Sequence, residues 1–308
     1  MSYIIKDYLP ALYMTINNNS FYHKFNQERL YHYTSFNTAK KIFLSDGLSF
    51  RMTNATRFDD KNEGKIFYEV YHDIINRLFM LNHIGIRFYK LLCRFDKKSL
   101  YYDKANDYSQ TSNNFVGCFS NNPDNNYLWN YVFDKYQDDT PEGGACSFGF
   151  DACFFNGANM LNLSKEVLVT SSAPNRITAL THKVIYDKNE QSNRVEVMLY
   201  QLYQLYCKFG EYYNNSTILA LSEIIDRFKL LFKDTTYIPE DETRFILSVP
   251  KESEQYDNFK DKSYFEYKVP YNLINNLSIT INSKNAESAE KMQRYFSNIN
   301  NDWQILIK

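Results

Sequence analysis

The sequence predicts an α+β domain, and three observations lead there. Short apolar runs bounded by Asn, Asp, Gly or Pro occur at Phe115 to Ser120 (FVGCFS), Ala145 to Phe150 (ACSFGF), Arg244 to Val249 and Tyr264 to Val269; such runs mark strands. Longer segments, Lys65 to Phe95, Arg194 to Phe209 and Ser216 to Phe232, carry large apolar residues in helical patterns. No repeat period or low-complexity linker divides the 308 residues, and a hydrophobic content of 44% is ample for one sizeable core. The expectation is one domain over 1–308 with mixed, mostly antiparallel sheets and helical insertions at 64–110 and 194–234.

In chain order, Tyr31-His32-Tyr33-Thr34 reads as a short strand with His32 and Thr34 on one face and Tyr31 and Tyr33 on the other. Phe36 to Ser45 follows as a short helix, capped by Thr34 or Ser35 and stopped at Asp46-Gly47. Leu48 to Met52 returns as a strand. Ile66, Val70, Ile74, Leu78 and Leu81, then Ile84, Phe88 and Leu91, give one or two helices with a break at Gly85. Val184 to Tyr186 and Leu277 to Ile281 complete the strand series.

Composition narrows the function. Lys+Arg number 35 against 36 Asp+Glu, so no global field draws the chain to nucleic acid or an anionic membrane surface. The start, MSYIIKDYLPALYM, lacks the pattern of a leader, and no stretch approaches the roughly 18 apolar residues of a spanning helix. A cytoplasmic protein without a membrane partner is expected. The five cysteines form no C-x-x-C pair, which points to reduced thiols and no zinc cage. Walker-type phosphate loops, G-x-S-x-G elbows and H-E-x-x-H motifs are absent, which argues against kinase, α/β-hydrolase and zincin chemistry.

Several blocks carry a resemblance as an ordered set. They are Tyr31-His32-Tyr33-Thr34-Ser35, Arg57-Phe58-Asp59-Asp60-Lys61-Asn62-Glu63, Cys118-Phe119-Ser120, Leu128-Trp129-Asn130-Tyr131 running on to Phe148-Gly149-Phe150, and Glu240-Asp241-Glu242-Thr243-Arg244. The set resembles a large bacterial domain family with a YHYTS-like start, over roughly residues 28 to 281. Asp59-Asp60-Lys61 departs from the Asn-Asp-Pro of that family, and Ile281-Asn282-Ser283 stands where a Gly-Pro turn follows the strand. More distantly, the arrangement is similar to the ADP-ribosyltransferase superfamily. There, sheets flank a cleft in which a His-bearing first strand and a late Glu-bearing strand converge on NAD.

That second resemblance implies NAD as substrate, no metal, and either ADP-ribosyl transfer to a protein or nucleic acid or hydrolysis of NAD. A toxin or phage-defence role would follow by analogy. Cleaving the nicotinamide–ribose bond builds positive charge on the sugar, as in glycoside hydrolysis, and so calls for a fixed carboxylate. Glu242 is the first candidate; Glu240 is the alternative, or the base that activates an acceptor. Arg244 would orient Glu242, although an ordinary surface E-x-E-x-R ladder fits the spacing equally well.

His32 and Thr34 would bind ribose hydroxyls, with Tyr33 beside them; a core histidine is the alternative for His32. Arg51 would hold the pyrophosphate with Asn54 nearby, against the alternative of a solubilising edge charge. Phe58 and Tyr131 would offer aromatic surface to a base, whereas Trp129 fits the core better. Asp59, Asp60 and Glu63 lack a calcium-loop pattern and read as acids before a helix. The rival reading for the whole protein is a non-catalytic ligand- or partner-binding module of the same fold.

Overall fold

The computed structural model describes residues 29–58, 64–102, 112–136, 143–151, 178–209, 214–251, 256–274 and 276–308. Asp59, Asp60, Lys61, Asn62 and Glu63 lie outside them. The strands are β1 (Arg29–Ser35), β2 (Gly47–Asn54), β3 (Ser112–Ser120), β4 (Ala145–Asp151), β5 (Thr178–Lys183), β6 (Glu242–Pro250), β7 (Tyr264–Pro270), β8 (Ser278–Asn282) and β9 (Gln304–Ile307). The helices are α1 (Phe36–Ile42), α2 (Lys65–Met80), α3 (Ile86–Cys93), α4 (Lys188–Phe209), α5 (Asn214–Phe228) and α6 (Ala286–Ile299).

All the strands join one open, nine-stranded sheet in the order β5-β6-β3-β1-β4-β8-β9, with β2 and β7 branching from β3. Every pairing is antiparallel except β8 with β9. The architecture is α+β, as expected, with one forked sheet rather than several. The fork arises because β3 carries β6 along one edge while two strands share the other. β2 meets β3 at Phe115 and Val116, and β1 meets it at Ser120. Between them, no strand is paired to that edge at Gly117, Cys118 and Phe119 among the described residues.

Strand periodicity divides the core in two. Val116 and Ile246 face a layer built from α2, α3, α4 and α5, where Phe67, Tyr71, Ile75, Leu199 and Leu221 are buried. Phe115, Phe119, Phe245, Leu247 and Val249 face the opposite side, closed by Phe36 and Ala39 of α1 and by Met292 and Phe296 of α6. The two helical insertions thus pack together over one sheet face. Gly85 immediately precedes α3 as its cap position, and Ser35 caps α1 through a hydrogen bond from the Thr38 amide to its Oγ, 3.2 Å. No helix among the described residues is long and apolar enough to cross a membrane.

Two details depart from the sequence reading. Val184 to Tyr186 is buried but lies beyond β5, with Ile185 making only an isolated bridge to Phe232. The C-terminal pair α6 and β9 was not anticipated, although Asn285 caps α6 at the Ser288 amide, 3.1 Å.

Candidate functional site

The register of β3 against its neighbours decides which side chains meet. Ser120 lies opposite Glu242 and Cys118 opposite Arg244, so these four share the helix-layer face. His32 packs among Phe50, Phe119 and Phe148, with ring centroids 5.9, 5.5 and 5.1 Å away, and so belongs to the other face. A cavity of about 420 Å³ is nevertheless lined by both His32 and Glu242. Its lining draws on side chains of both faces and includes Gly117, Cys118 and Phe119 at the gap in the fork. Its walls are chiefly aromatic and aliphatic; Tyr31, Phe50, Phe58, Phe133 and Tyr267 are among them.

The polar end of the cavity is a buried ion cluster. Arg244 Nε donates to Glu242 Oε1 at 2.9 Å and Nη2 to Oε2 at 3.3 Å, while Nη1 donates to the Leu230 carbonyl at 2.5 Å. Arg244 is 2% exposed, and its guanidinium also lies 5.7 Å from the Phe58 ring. Lys233, from the segment after α5, places Nζ 2.7 Å from Glu242 Oε2 and 2.6 Å from Glu240 Oε2. Two cations and two carboxylates therefore meet in one low-dielectric corner.

Their proton affinities diverge. Burial alone would raise the Glu242 carboxyl, but the Arg244 and Lys233 charges, with hydrogen bonds from Arg244 and Cys118, hold it down at about 2. For Glu240 burial wins over the Lys233 charge, and the carboxyl sits above its ordinary value. Cys118 is exposed to the cavity, and desolvation there together with the Glu242 charge pushes its thiol well up, which suits it to donate to Glu242.

A turn delivers the two glutamates. Residues Thr235–Glu240 form a 3-10 turn, Asp241 is left-handed (φ 46°, ψ 54°), and β6 begins at Glu242. Glu240 therefore lies off the strand, and the left-handed residue between the glutamates lets both reach Lys233. The turn is pinned by Asn125 Nδ2 donating to the Pro239 carbonyl, 2.7 Å, and by Ser120 Oγ donating to the Glu240 carbonyl, 3.0 Å. Tyr186 receives the Glu242 amide at 3.0 Å.

His32 lines the cavity from the other face of the sheet, on β1. Its Nδ1 lies 3.2 Å from the Cys118 carbonyl. Because a carbonyl only accepts, Nδ1 carries the proton and Nε2 is left as an acceptor. Burial lowers the His32 pKa to about 4, against a small opposing effect of that hydrogen bond, so the ring is neutral at pH 7. Tyr31 fits because Gly149 opposite has no side chain; a Cβ there would lie 2.4 Å from the Tyr31 ring.

Of the residues singled out from sequence, Glu240, Glu242, Arg244, His32, Tyr33, Arg51 and Phe58 all line this cavity. Arg51 is half exposed, pairs with Glu266 at 3.4 Å and lies over the Tyr264 ring. Tyr33 spends its hydroxyl on the Asn122 carbonyl (2.7 Å) and the Asn125 amide (2.8 Å), so it serves as a wall. Three residues are elsewhere. Thr34 is buried and does not line the cavity; Asn54 bonds Asn113 and the Lys262 carbonyl and caps the next turn; Tyr131 is 79% exposed beside Tyr127. Trp129 is in the core. Lys233 escaped the sequence reading, and no local pattern marks it, because its role depends on where the end of α5 meets β6.

Comparison with protein-family models, with curated proteins and with solved structures finds no match. Among the described residues, no group of three His, Cys, Asp or Glu side chains is placed to hold a metal ion.

Proposed function

We propose that this protein cleaves the nicotinamide–ribose bond of NAD and passes ADP-ribose to a macromolecule, protein or nucleic acid, or to water. The observation that carries the reading is a pair of carboxyls with opposite proton affinities, Glu240 and Glu242, on the wall of a cavity that His32 enters from another strand. Such divergence separates an ionised group from a proton-transfer group. Glu242, charged at neutral pH, opposes the positive charge that grows on the ribose. Glu240, with its raised carboxyl, takes the proton of the incoming hydroxyl.

In bond terms, the carbon–nitrogen bond breaks with its electron pair leaving on nicotinamide, which becomes neutral. The ribose carbon bonds to the acceptor oxygen, whose proton passes to Glu240. The neutral His32 ring offers Nε2 to a ribose hydroxyl. The cavity volume falls in the range of small-molecule sites, and its aromatic walls suit a flat ring. Arg51 is the cation available at its edge for a phosphate. The analogy behind this reading is with ADP-ribosyltransferases, in which a His strand and a late Glu strand flank one cleft. A cytoplasmic toxin or phage-defence effector is the biological setting that analogy favours.

One observation favours a second reading. Arg244 and Lys233 already occupy both oxygens of Glu242, as they would in a purely structural ion cluster serving a binding protein without turnover. Incubating the purified protein with NAD and quantifying free nicotinamide separates the two. Release above the uncatalysed rate supports the enzyme; NAD binding without release supports the binding protein.

A further inference from the structure

We propose that Lys233 is a positioning residue that sets the protonation of Glu240, sharing one ammonium between two carboxylates so that Glu242 stays charged while Glu240 exchanges its proton. This rests on the reading of the cavity as a site for proton-coupled chemistry. The geometry is specific: Nζ lies 2.6 Å from Glu240 and 2.7 Å from Glu242, and the Lys233 side chain is 13% exposed. The ammonium also lies 5.2 Å from the Tyr237 ring. The backbone that carries it is held in place, since the Lys233 amide donates to the Ile185 carbonyl (3.2 Å) and its own carbonyl receives Gln191 Nε2 (3.0 Å).

The two carboxylates are not equivalent partners of that ammonium. Glu242 has a second cation, Arg244, on its other oxygen, whereas the hydrogen bond described for the Glu240 carboxylate is the one from Lys233. Glu240 is also the more open of the pair, its side chain 19% exposed against 6% for Glu242. Protonating Glu240 leaves Lys233 and Arg244 both in contact with the Glu242 carboxylate. Protonating Glu242 would instead remove the one carboxylate that touches both cations. The other groups facing Glu240 are the Glu242 and Arg244 charges and the Tyr186 hydroxyl; Asp241 is engaged by Lys183, 3.2 Å away. Of the cations among the described residues, only Lys233 touches Glu240, so the carboxylate form of Glu240 leans on it.

The test is a carboxyl titration by carbon NMR on protein labelled at the glutamate side chains, with Glu240 assigned through Glu240→Gln. Lys233→Met should raise the Glu240 midpoint by about one pH unit or more, Lys233→Arg should keep it near the wild-type value, and Glu242 should remain ionised throughout. An unchanged Glu240 midpoint in Lys233→Met would overturn the proposal. Should Lys233→Met fail to fold, the same change made in Glu242→Gln keeps the cluster neutral, and its Glu240 midpoint should lie above that of Glu242→Gln alone. Where nicotinamide release is measurable, the rising limb of its pH profile should move upward with the Glu240 midpoint. Absence of release in every variant would count against the NAD reading alone, because the titration does not depend on turnover.

Discussion

Replacing His32 with Phe tests the half-buried neutral imidazole in the sheet fork. In the folded protein His32 does not accept a proton until about pH 4, whereas the unfolded chain protonates it near 6.5. Over that interval the unfolded state binds more protons, so falling pH drains stability at about 1.4 kcal/mol per pH unit. Integrated down to pH 4, the loss is about 3 kcal/mol. Phe preserves the ring contacts with Phe50, Phe119 and Phe148 and gives up the hydrogen bond to Cys118, a pH-independent cost of about 1 kcal/mol. Urea unfolding of both proteins at about pH 7 and about pH 4.5 should show the wild type losing about 2 to 3 kcal/mol more than His32→Phe on acidification. The Glu242 contribution is present above its unfolded value near 4.5 and is lost mainly below that pH, in both proteins alike. Equal acid sensitivity of the two proteins would refute the reasoning and place a charged or solvated His32 in the fork.

Other perturbations follow from the same geometry. Glu242→Gln should cost about 3 kcal/mol in urea unfolding, because it removes the buried charge that both Arg244 and Lys233 contact; a cost below about 1 kcal/mol would mean the cluster is not buried as described. Asp241→Gly should be nearly neutral, whereas Asp241→Val should cost about 1 to 2 kcal/mol by forcing a β-branched residue into the left-handed region; equal melting temperatures would contradict that turn. Gly149→Ala should turn the Tyr31 ring from its seat, lowering stability by about 1 to 2 kcal/mol and weakening NAD binding measured by calorimetry; wild-type affinity would argue against Tyr31 as a cavity wall.

Much of the fold was legible because strand and helix periods differ and the turns are marked. The Ser35 cap, the Gly85 break and the alternation in β3 and β6 each have a local cause in neighbouring residues. What was not legible depended on partners distant in sequence. Val184, Ile185 and Tyr186 are as apolar as a strand, but they are buried beyond the end of β5 rather than paired along the sheet. The E-x-E spacing implied one strand face for both glutamates, whereas the left-handed Asp241 sets Glu240 on a turn. Lys233 could not be found at all, since its partners lie seven and nine residues on, across a turn whose shape the sequence leaves open. Thr34 shares the His32 face of β1 by strand alternation but lies buried beyond the cavity, while Asn54, chosen by resemblance, is taken up by Asn113 and the Lys262 carbonyl, and Tyr131, chosen as an aromatic surface, is turned to solvent.

The most direct measurement of the central claim is nicotinamide release from NAD by the wild-type protein and by Glu242→Gln, compared under conditions where both are folded. The account predicts release by the wild type, into water or with modification of an added macromolecule. In the variant the rate should fall by about 100-fold or more, with NAD affinity largely retained, because the amide removes the charge that opposes the developing positive ribose. His32→Ala should differ by weakening NAD binding more than turnover. Undiminished release by Glu242→Gln with none from Glu240→Gln would move the essential charge to Glu240. No release from the wild type with any acceptor, water included, would contradict the enzymatic account and leave the ligand-binding protein in its place.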